Sequence, residues 1–278
     1  MSLPTLGQML LGTEGLALLR LAFGNDPAAR EARVAEIRDL LVRYDHDLAS
    51  PLAAPEYDLD QGYDLWSATY DQPLRLFPVE EPTVHGILAS LSAGTMLDAA
   101  CGTGRHSAWL AAQGHDVIGI DVSDSMLSKA RTKLPACRFE RGDLAALPLM
   151  DGSVDAALCA LALVHVADLR PAFAELARVV RPGGRIVISD VHPFLVQLGW
   201  QAQFRTAGGE AGFMRLNAHL PSSYAAAARN AGLHIMDLHE PLLGGESAMT
   251  IARDLLPDAN AAAWVGLPGV IVWDLMKP

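Results

Sequence analysis

The stretch from Thr95 to Asp121, TMLDAACGTGRHSAWLAAQGHDVIGID, limits the fold more tightly than any other part of this chain. Met96 and Leu97 form a short apolar lead into Asp98, and Ala99, Ala100, Cys101, Gly102, Thr103 and Gly104 come next. From about Arg105 to Gln113 the apolar positions Ala108, Leu110, Ala111 and Ala112 predict an amphipathic helix, which Gly114 stops. The run from Asp116 to Ile120 is strand-like and ends at Asp121. Strand, glycine turn, helix and strand, in that order, are the first half of a doubly wound sheet.

The same stretch has the chemistry of a ligand site. Gly102 and Gly104 tolerate positive φ and carry no Cβ, so a ligand can lie close to the backbone. A helix starting near Arg105 turns unpaired N–H groups and a positive dipole end toward an anion. Asp121 ends the second strand about 20 residues after the first glycine, where a carboxylate suits a ribose diol. A tight strand-to-helix connection would also explain the glycines alone; Asp98 before them and Asp121 after them favour a nucleoside-like ligand.

Asp98-Ala-Ala-Cys-Gly102-Thr-Gly104 resembles the first motif of class I S-adenosylmethionine (SAM)-dependent methyltransferases, an acid and then spaced glycines. Further matches extend the resemblance over roughly Thr83 to Glu240. It implies SAM as methyl donor, with the glycine turn on its methionine part and the acid after strand two on its ribose. The donor positions so implied are Asp98, Ala100, Gly102, Gly104 and Asp121, with Val122 and Met126 beside them. Asp143, after strand three at Arg138–Glu140, matches the acid that meets the adenine amino group, and the next N–H, of Leu144, meets the ring; a turn-forming Gly-Asp is the competing account. Cys159, closing strand four at Val154–Cys159, completes the donor set. The implied fold is α/β: a Rossmann-like, doubly wound, seven-stranded and mostly parallel sheet. Its last strand, begun by Val270-Ile-Val-Trp273, enters antiparallel between strands five (Ile186–Asp190) and six (Leu233–Leu238).

The segment from Tyr57-Asp58 to Tyr70-Asp71 resembles one that precedes the first strand in many small-molecule methyltransferases and folds over the donor. Tyr63, Trp66 and Tyr70 fall on one face of a predicted helix. The resemblance gives Tyr63 and Tyr70 to the methionine carboxylate and Trp66 to the pocket wall; an ordinary amphipathic helix would bury all three.

The reaction class is read from the segment after strand four, Cys159-Ala-Leu-Ala-Leu-Val-His165. It lacks the Asn/Asp-Pro-Pro-Tyr/Phe segment of base-directed amino methyltransferases and the metal-binding acid of catechol methyltransferases. It is more similar to the branch that includes quinone methyltransferases, where a histidine often stands at the place of His165. His192, just past strand five, lies at a strand end that lines the crevice in such sheets and titrates near neutrality. His165 and His192 are therefore the candidate bases, each also explicable as a structural histidine. Arg181-Pro-Gly-Gly, a family mark, stops the preceding helix and feeds strand five. The insertion at 192–220, aromatic and glycine-containing, is expected to form part of the acceptor pocket through Phe194, Trp200 and Phe213, with His219 and, just beyond, Tyr224 as polar candidates.

Composition narrows the rest. Half the residues are apolar, ample for a core. Net charge is −11 with no basic cluster, which argues against nucleic-acid or anionic-membrane partners; the resemblance implies a small-molecule acceptor. Three scattered cysteines without CxxC spacing fit a reducing cytoplasm and predict no metal. Residues 1–55 read as a helical extension, with helices over Pro4–Phe23 and from Asp26-Pro27 to about Tyr44. It serves as an added layer, a homodimer contact or a lid, and Ser50–Pro55 links it to a methyltransferase domain at 56–278. A further helix is expected over Pro82–Leu91, before strand one.

Methyl transfer needs orientation and a dry pocket more than a catalytic signature, so the donor is legible and the acceptor is not. The expected reaction is methylation of oxygen or nitrogen on a small, fairly apolar metabolite, or of carbon on an electron-rich ring or enol. A dehydrogenase shares the glycine turn and ribose acid, but Ser107 stands where its fingerprint has Gly or Ala. A non-catalytic SAM-binding subunit is the third reading.

Overall fold

The computed structural model describes residues 4–248 and 250–278. They form two compact units: Glu56–Pro241 with Pro268–Pro278, and the residues before Glu56 with Leu242–Leu267. The first segment of the smaller unit ends at Pro55. The assignment of 242–267 to the sheet domain is corrected: this stretch packs with the N-terminal helices, a long-range choice that no local pattern encodes.

Among the described residues, the larger unit is built on nine strands: β1 Thr95–Ala99, β2 Asp116–Asp121, β3 Arg138–Arg141, β4 Val154–Ala160, β5 Val180–Val191, β6 Ala202–Arg205, β7 Ala211–Met214, β8 His234–His239 and β9 Val270–Met276. Seven form one sheet in the order β3-β2-β1-β4-β5-β9-β8. Strands β1 to β5 run parallel, and β9 is antiparallel to both its neighbours. The inner strands are apolar on both faces because helices cover both faces of a parallel sheet. Accordingly Leu97, Ala157, Leu158, Ile186, Val187 and Ile271 are all fully buried. The order reverses between β1 and β4, and there the carboxyl ends of the strands open a crevice for a ligand.

Helix starts obey local chemistry. Ser123 caps Asp124–Lys133, and Pro221 opens Pro221–Asn230. The helix before β1 spans Phe77–Leu88 and carries Pro82 inside it. The expected start at Pro82 was five residues late, because Pro78 already occupies the first turn, where its missing N–H costs nothing. Arg181-Pro-Gly-Gly does more than stop a helix. Val154 pairs with Val180 and Ala156 with Arg185, so 181–184 bulge out opposite Asp155, and Arg181 forms an ion pair with that carboxylate. The insertion after His192 was expected as a loop. It folds into a short helix, Pro193–Gln197, and the β6–β7 hairpin.

In the smaller unit Thr5 and Gln8 form a capping box on helix Leu6–Leu21, and Asp26 caps Pro27–Arg43. Arg20 donates to the carbonyls of Ala262, Ala263 and Val265 at 3.0, 2.8 and 2.9 Å, closing the open end of helix Pro257–Trp264. Leu10, Leu40, Leu48 and Ala252 form its core. Among them Glu14 is fully buried, 3.4 Å from the Arg33 guanidinium. Burial and the nearby Glu36 push its carboxyl up to about 8, against the pull of Arg33. A folded-state pKa above the unfolded one means the fold loses stability as pH rises from about 4.5 to about 8. Glu14→Gln should therefore be more stable than the parent by about 1–3 kcal/mol at about pH 9. In urea melts monitored by circular dichroism, the gain should shrink toward about pH 5.

Candidate functional site

The crevice is organised by the backbone after β1. Among the described residues, the non-glycine residues with left-handed backbone are Ala100 (φ 59°) and Leu161 (φ 54°). They stand just past the carboxyl ends of β1 and β4, the neighbours between which the sheet reverses. Such strain persists where the surroundings enforce it, and it concentrates at functional sites. Gly102 (φ 54°) and Gly104 (φ 80°) complete the turn into helix Arg105–Ala112.

Asp121 holds this turn. Its Oδ2 accepts from the Gly102 N–H at 2.8 Å and its Oδ1 from the Ser123 N–H at 2.9 Å. Burial pushes its carboxyl up, and the two N–H groups pull it back. Asp98, almost completely buried, accepts from the Ser107 hydroxyl at 2.6 Å; burial raises its pKa too. The residue that broke the dehydrogenase fingerprint thus ties the helix to β1. Asp98 and Asp121 are close enough to feel each other's charge. Asp143 stands apart: it is exposed, and its Oδ1 accepts from the Ala145 N–H at 2.8 Å, the turn geometry of a Gly-Asp corner.

Three aromatics cover the turn. Tyr63 stacks on Trp66 at 5.9 Å, and Trp66 meets the edge of Tyr70 at 4.9 Å. The single-face helix expected for them is corrected in part: the helix is Leu59–Trp66, and Tyr70 lies in the turns beyond it. The Tyr70 ring comes within 3.8 Å of where a Cβ on Gly102 would sit, and burial pushes its hydroxyl up to about 12. The space left, lined by Tyr70, Asp98, Ala100, Cys101, Arg105 and His106 among others, is about 10 Å³, room for one water. Trp66 also stacks on Phe204 of β6 at 5.7 Å. Helix Leu59–Trp66 sits tight on β7 because Gly62 has no side chain: a Cβ there would run into the Met214 sulfur.

Beneath the turn lies a charge network that sequence reasoning missed. Arg105 pairs with Glu80 and Glu81 at 2.8 Å and lies 3.8 Å over the Phe77 ring. Glu80, fully buried, also meets His106 at 3.1 Å and accepts from Ser189 at 2.6 Å. Burial would raise its pKa, but these partners prevail and hold it at about 2. Thr103 and Lys133 bond Asp71, fastening the covering segment to the turn. Arg105 directly after the glycines was the available sequence signal for this network; its partners come from distant segments.

On the acceptor side, His165 ends the single-turn helix Leu163–His165 after β4. Its Nε2 lies 2.8 Å from the Tyr63 hydroxyl, and burial lowers its pKa to about 4 despite the Arg215 backbone nearby. The imidazole is neutral near pH 7, and its tautomer sets which of Tyr63 and His165 donates. His192 is engaged on both ring nitrogens, accepting from the Phe194 N–H at 3.2 Å and lying 2.9 Å from Glu240; it caps Pro193–Gln197. His219 donates to the Val166 carbonyl at 2.7 Å, and Tyr224, buried, donates to Asp190 at 2.7 Å. Phe213 lies on β7, its carbonyl accepting from the Tyr57 N–H, while Phe194 and Val122 are exposed. Trp200 is half-buried beyond the short helix, Leu144 packs on the core, and Met126 and Cys159 are buried. Asp190, at the end of β5, was not singled out as a site residue; its place two residues before His192 was the available clue.

Comparison with known proteins agrees with this geometry. Residues 97–188 match the family model described as a methyltransferase domain. The chain is 40% identical over 95 residues to a demethylmenaquinone methyltransferase of Beutenbergia cavernae, covering 34% of this chain and 40% of that one. It is 34% identical over 163 residues to a malonyl-[acyl-carrier protein] O-methyltransferase of Serratia marcescens, covering 58% and 61%. It thus spans less than two thirds of the length of these curated relatives. A SAM-dependent methyltransferase structure from Mesorhizobium loti superposes with TM-score 0.56 at 22% identity, over 72% of this chain and 98% of that one. The [4+2]-cyclase SpnF does so with TM-score 0.54 at 18% identity, over 81% and 99%. These two likenesses concern the fold, which hosts more than one chemistry. Residues 97–188 thus match a methyltransferase domain, and the sheet around them has the fold of SAM-dependent methyltransferases. SAM is the cofactor of that family, and the donor chemistry here fits it: a Cβ-free turn, backbone N–H groups at a helix start and a buried carboxylate clasped to them. The Tyr70 ring over Gly102 narrows the space beside the turn.

His165 should remain neutral throughout the physiological range. In 15N spectra its ring nitrogens should keep neutral-imidazole shifts from about pH 8 down to about pH 5, whereas an unperturbed histidine turns over near about 6.5.

Proposed function

We propose that this protein transfers the methyl group of SAM to an oxygen or nitrogen of a small, fairly apolar metabolite. The observation that carries this reading is the meeting, within one unit, of the Gly102–Asp121 clasp with the aromatic cover of Tyr63, Trp66 and Tyr70. SAM, when bound, supplies a methyl on a positively charged sulfur that is displaced in line by the acceptor atom. This chain's residues supply the rest. The turn at 102–104 and Asp121 hold the methionine and ribose parts, with Asp98 keeping the turn in place through Ser107. Tyr63, Trp66 and Tyr70 exclude water and offer aromatic faces to a cation. Trp66, Phe204, Met214 and the neighbouring Tyr57 and Tyr63 give the acceptor side an apolar wall. The names of these relatives indicate demethylmenaquinone and malonyl-[acyl-carrier protein] as their own acceptors.

Proton handling falls to the Tyr63–His165 pair, since both nitrogens of His192 are engaged. An imidazole with a pKa of about 4 is a weak base. It suits acceptors that ionise readily, such as carboxylic acids, phenols and enols, and not aliphatic alcohols.

Calorimetry tests the donor half directly. S-adenosylhomocysteine, the demethylated product, should bind, and Asp121→Ala should weaken binding about 10- to 100-fold, the loss of charge-assisted hydrogen bonds. Binding of NADH in its place would overturn the reading. Incubating extracts with methyl-labelled SAM and tracing the label by mass spectrometry would identify the acceptor.

A further inference from the structure

Tyr63 and His165 meet at 2.8 Å although 102 positions separate them in the chain. The elements that carry them are both fastened to one run, residues 213–219, which is the end of β7 and the irregular chain beyond it. At one end of the run the Phe213 carbonyl accepts from the Tyr57 N–H at 2.9 Å, and Arg215 donates to both carboxylate oxygens of Glu56 at 2.6 and 2.7 Å. Met214, buried, occupies the space that Gly62 leaves open on the helix carrying Tyr63. At the other end the Val164 carbonyl accepts from both the backbone N–H and the side-chain amide of Asn217, at 2.7 and 3.0 Å. The Val166 carbonyl accepts from the His219 ring at 2.7 Å. Between these ends the Leu216 N–H donates to the Gln201 side chain at 2.9 Å.

The second grip falls on the peptide unit that orients His165. That unit runs from the Val164 carbonyl to the His165 N–H and is planar. Its oxygen is held by Asn217, and its N–H donates to the Ala162 carbonyl at 3.0 Å. Both ends of the plane are therefore fixed, and with them the direction in which the His165 side chain leaves the backbone. On the far side of His165 the Val166 N–H donates to the Leu163 carbonyl at 3.1 Å, and His219 holds the Val166 carbonyl. We propose that Asn217, supported by His219, is a positioning residue of the acceptor half: by clamping the Val164 carbonyl it sets His165 within hydrogen-bonding distance of Tyr63, on the same run of chain that holds the Tyr63 helix. The importance of that pair rests on the proposed methyltransferase function. An apolar residue at 217 would keep the backbone bond and lose the side-chain one, leaving the peptide plane freer to tilt. A hydrogen bond weakens steeply as its angle departs from linear, so a small tilt is enough to disturb the Tyr63–His165 contact.

The test is 15N NMR of the full chain at one fixed pH near neutrality. In Asn217→Leu the His165 Nε2 resonance should move toward its position in Tyr63→Phe, where the partner hydroxyl is gone. Combining the two substitutions should move it little further, because both act on one contact. His219 supplies a second arm. His219→Ala, which removes the donor to the Val166 carbonyl, should shift the same resonance, and His219→Gln, which keeps an N–H in that place, should restore most of the parent position. A folded Asn217→Leu with an unmoved Nε2 resonance overturns the proposal, and so does equal displacement in His219→Gln and His219→Ala; the latter comparison stands even where Asn217→Leu does not fold. S-adenosylhomocysteine binding to Asn217→Leu should stay within about threefold of the parent, as expected for a residue outside the donor half. Loss of that binding in the variant alone would overturn the assignment to the acceptor half. Failure of the parent protein to bind it would count against the donor reading and leave the His165 spectra standing.

Discussion

The structure of the donor side depends on one hydrogen-bonded clasp, the Asp121 carboxylate on the Gly102 N–H. It joins the end of β2 to the turn after β1, and so fixes two adjacent strand ends against each other. A carboxylate that accepts two backbone N–H bonds in a buried setting is held in direction as well as in charge. The left-handed residues Ala100, Gly102 and Gly104 give the chain the path that brings those N–H groups to Asp121. Relaxing the turn would release the helix start at Arg105, the Ser107 bond to Asp98 and the Arg105–Glu80 pair together.

Two buried acids frame the site with opposite electrostatics. Glu80 is surrounded by Arg105, His106 and Ser189 and stays charged, a fixed counterion under the glycine turn. Asp190 has only neutral donors and sits at a pKa of about 7. Both are buried from water, so the difference comes from partners: cationic neighbours overcome the desolvation cost at Glu80, and hydroxyl and N–H groups do so only in part at Asp190.

The aromatic cover links the two halves. Tyr63 reaches His165, Tyr70 reaches the glycine turn, and Trp66 lies between them against Phe204. Tyr70, Trp66 and Tyr63 are in mutual ring contact, so the glycine turn and His165 share one aromatic cluster. Asp71, bonded to Thr103 and Lys133, hinges this cover to the turn it protects.

Local sequence was enough wherever structure depends on neighbours in the chain. The alternation of apolar runs, the glycines at 102 and 104, the cap at Ser123 and the acid at 121 defined the first five strands and the donor turn, because turn dihedrals and capping are satisfied within a few residues. The antiparallel entry of β9 came from resemblance and not from any local feature. Only the tertiary structure decided that 242–267 joins the N-terminal helices, that His192 spends both nitrogens on a cap and on Glu240, and that the insertion forms a hairpin under Trp66. It alone brought Glu80 to Arg105, His106 and Ser189, and Asp190 to Tyr224. Burial, and the partners that burial brings within about 3 Å, set the charge of a carboxyl, and those partners come from segments far apart in the chain; a linear sequence holds the groups but not their encounter.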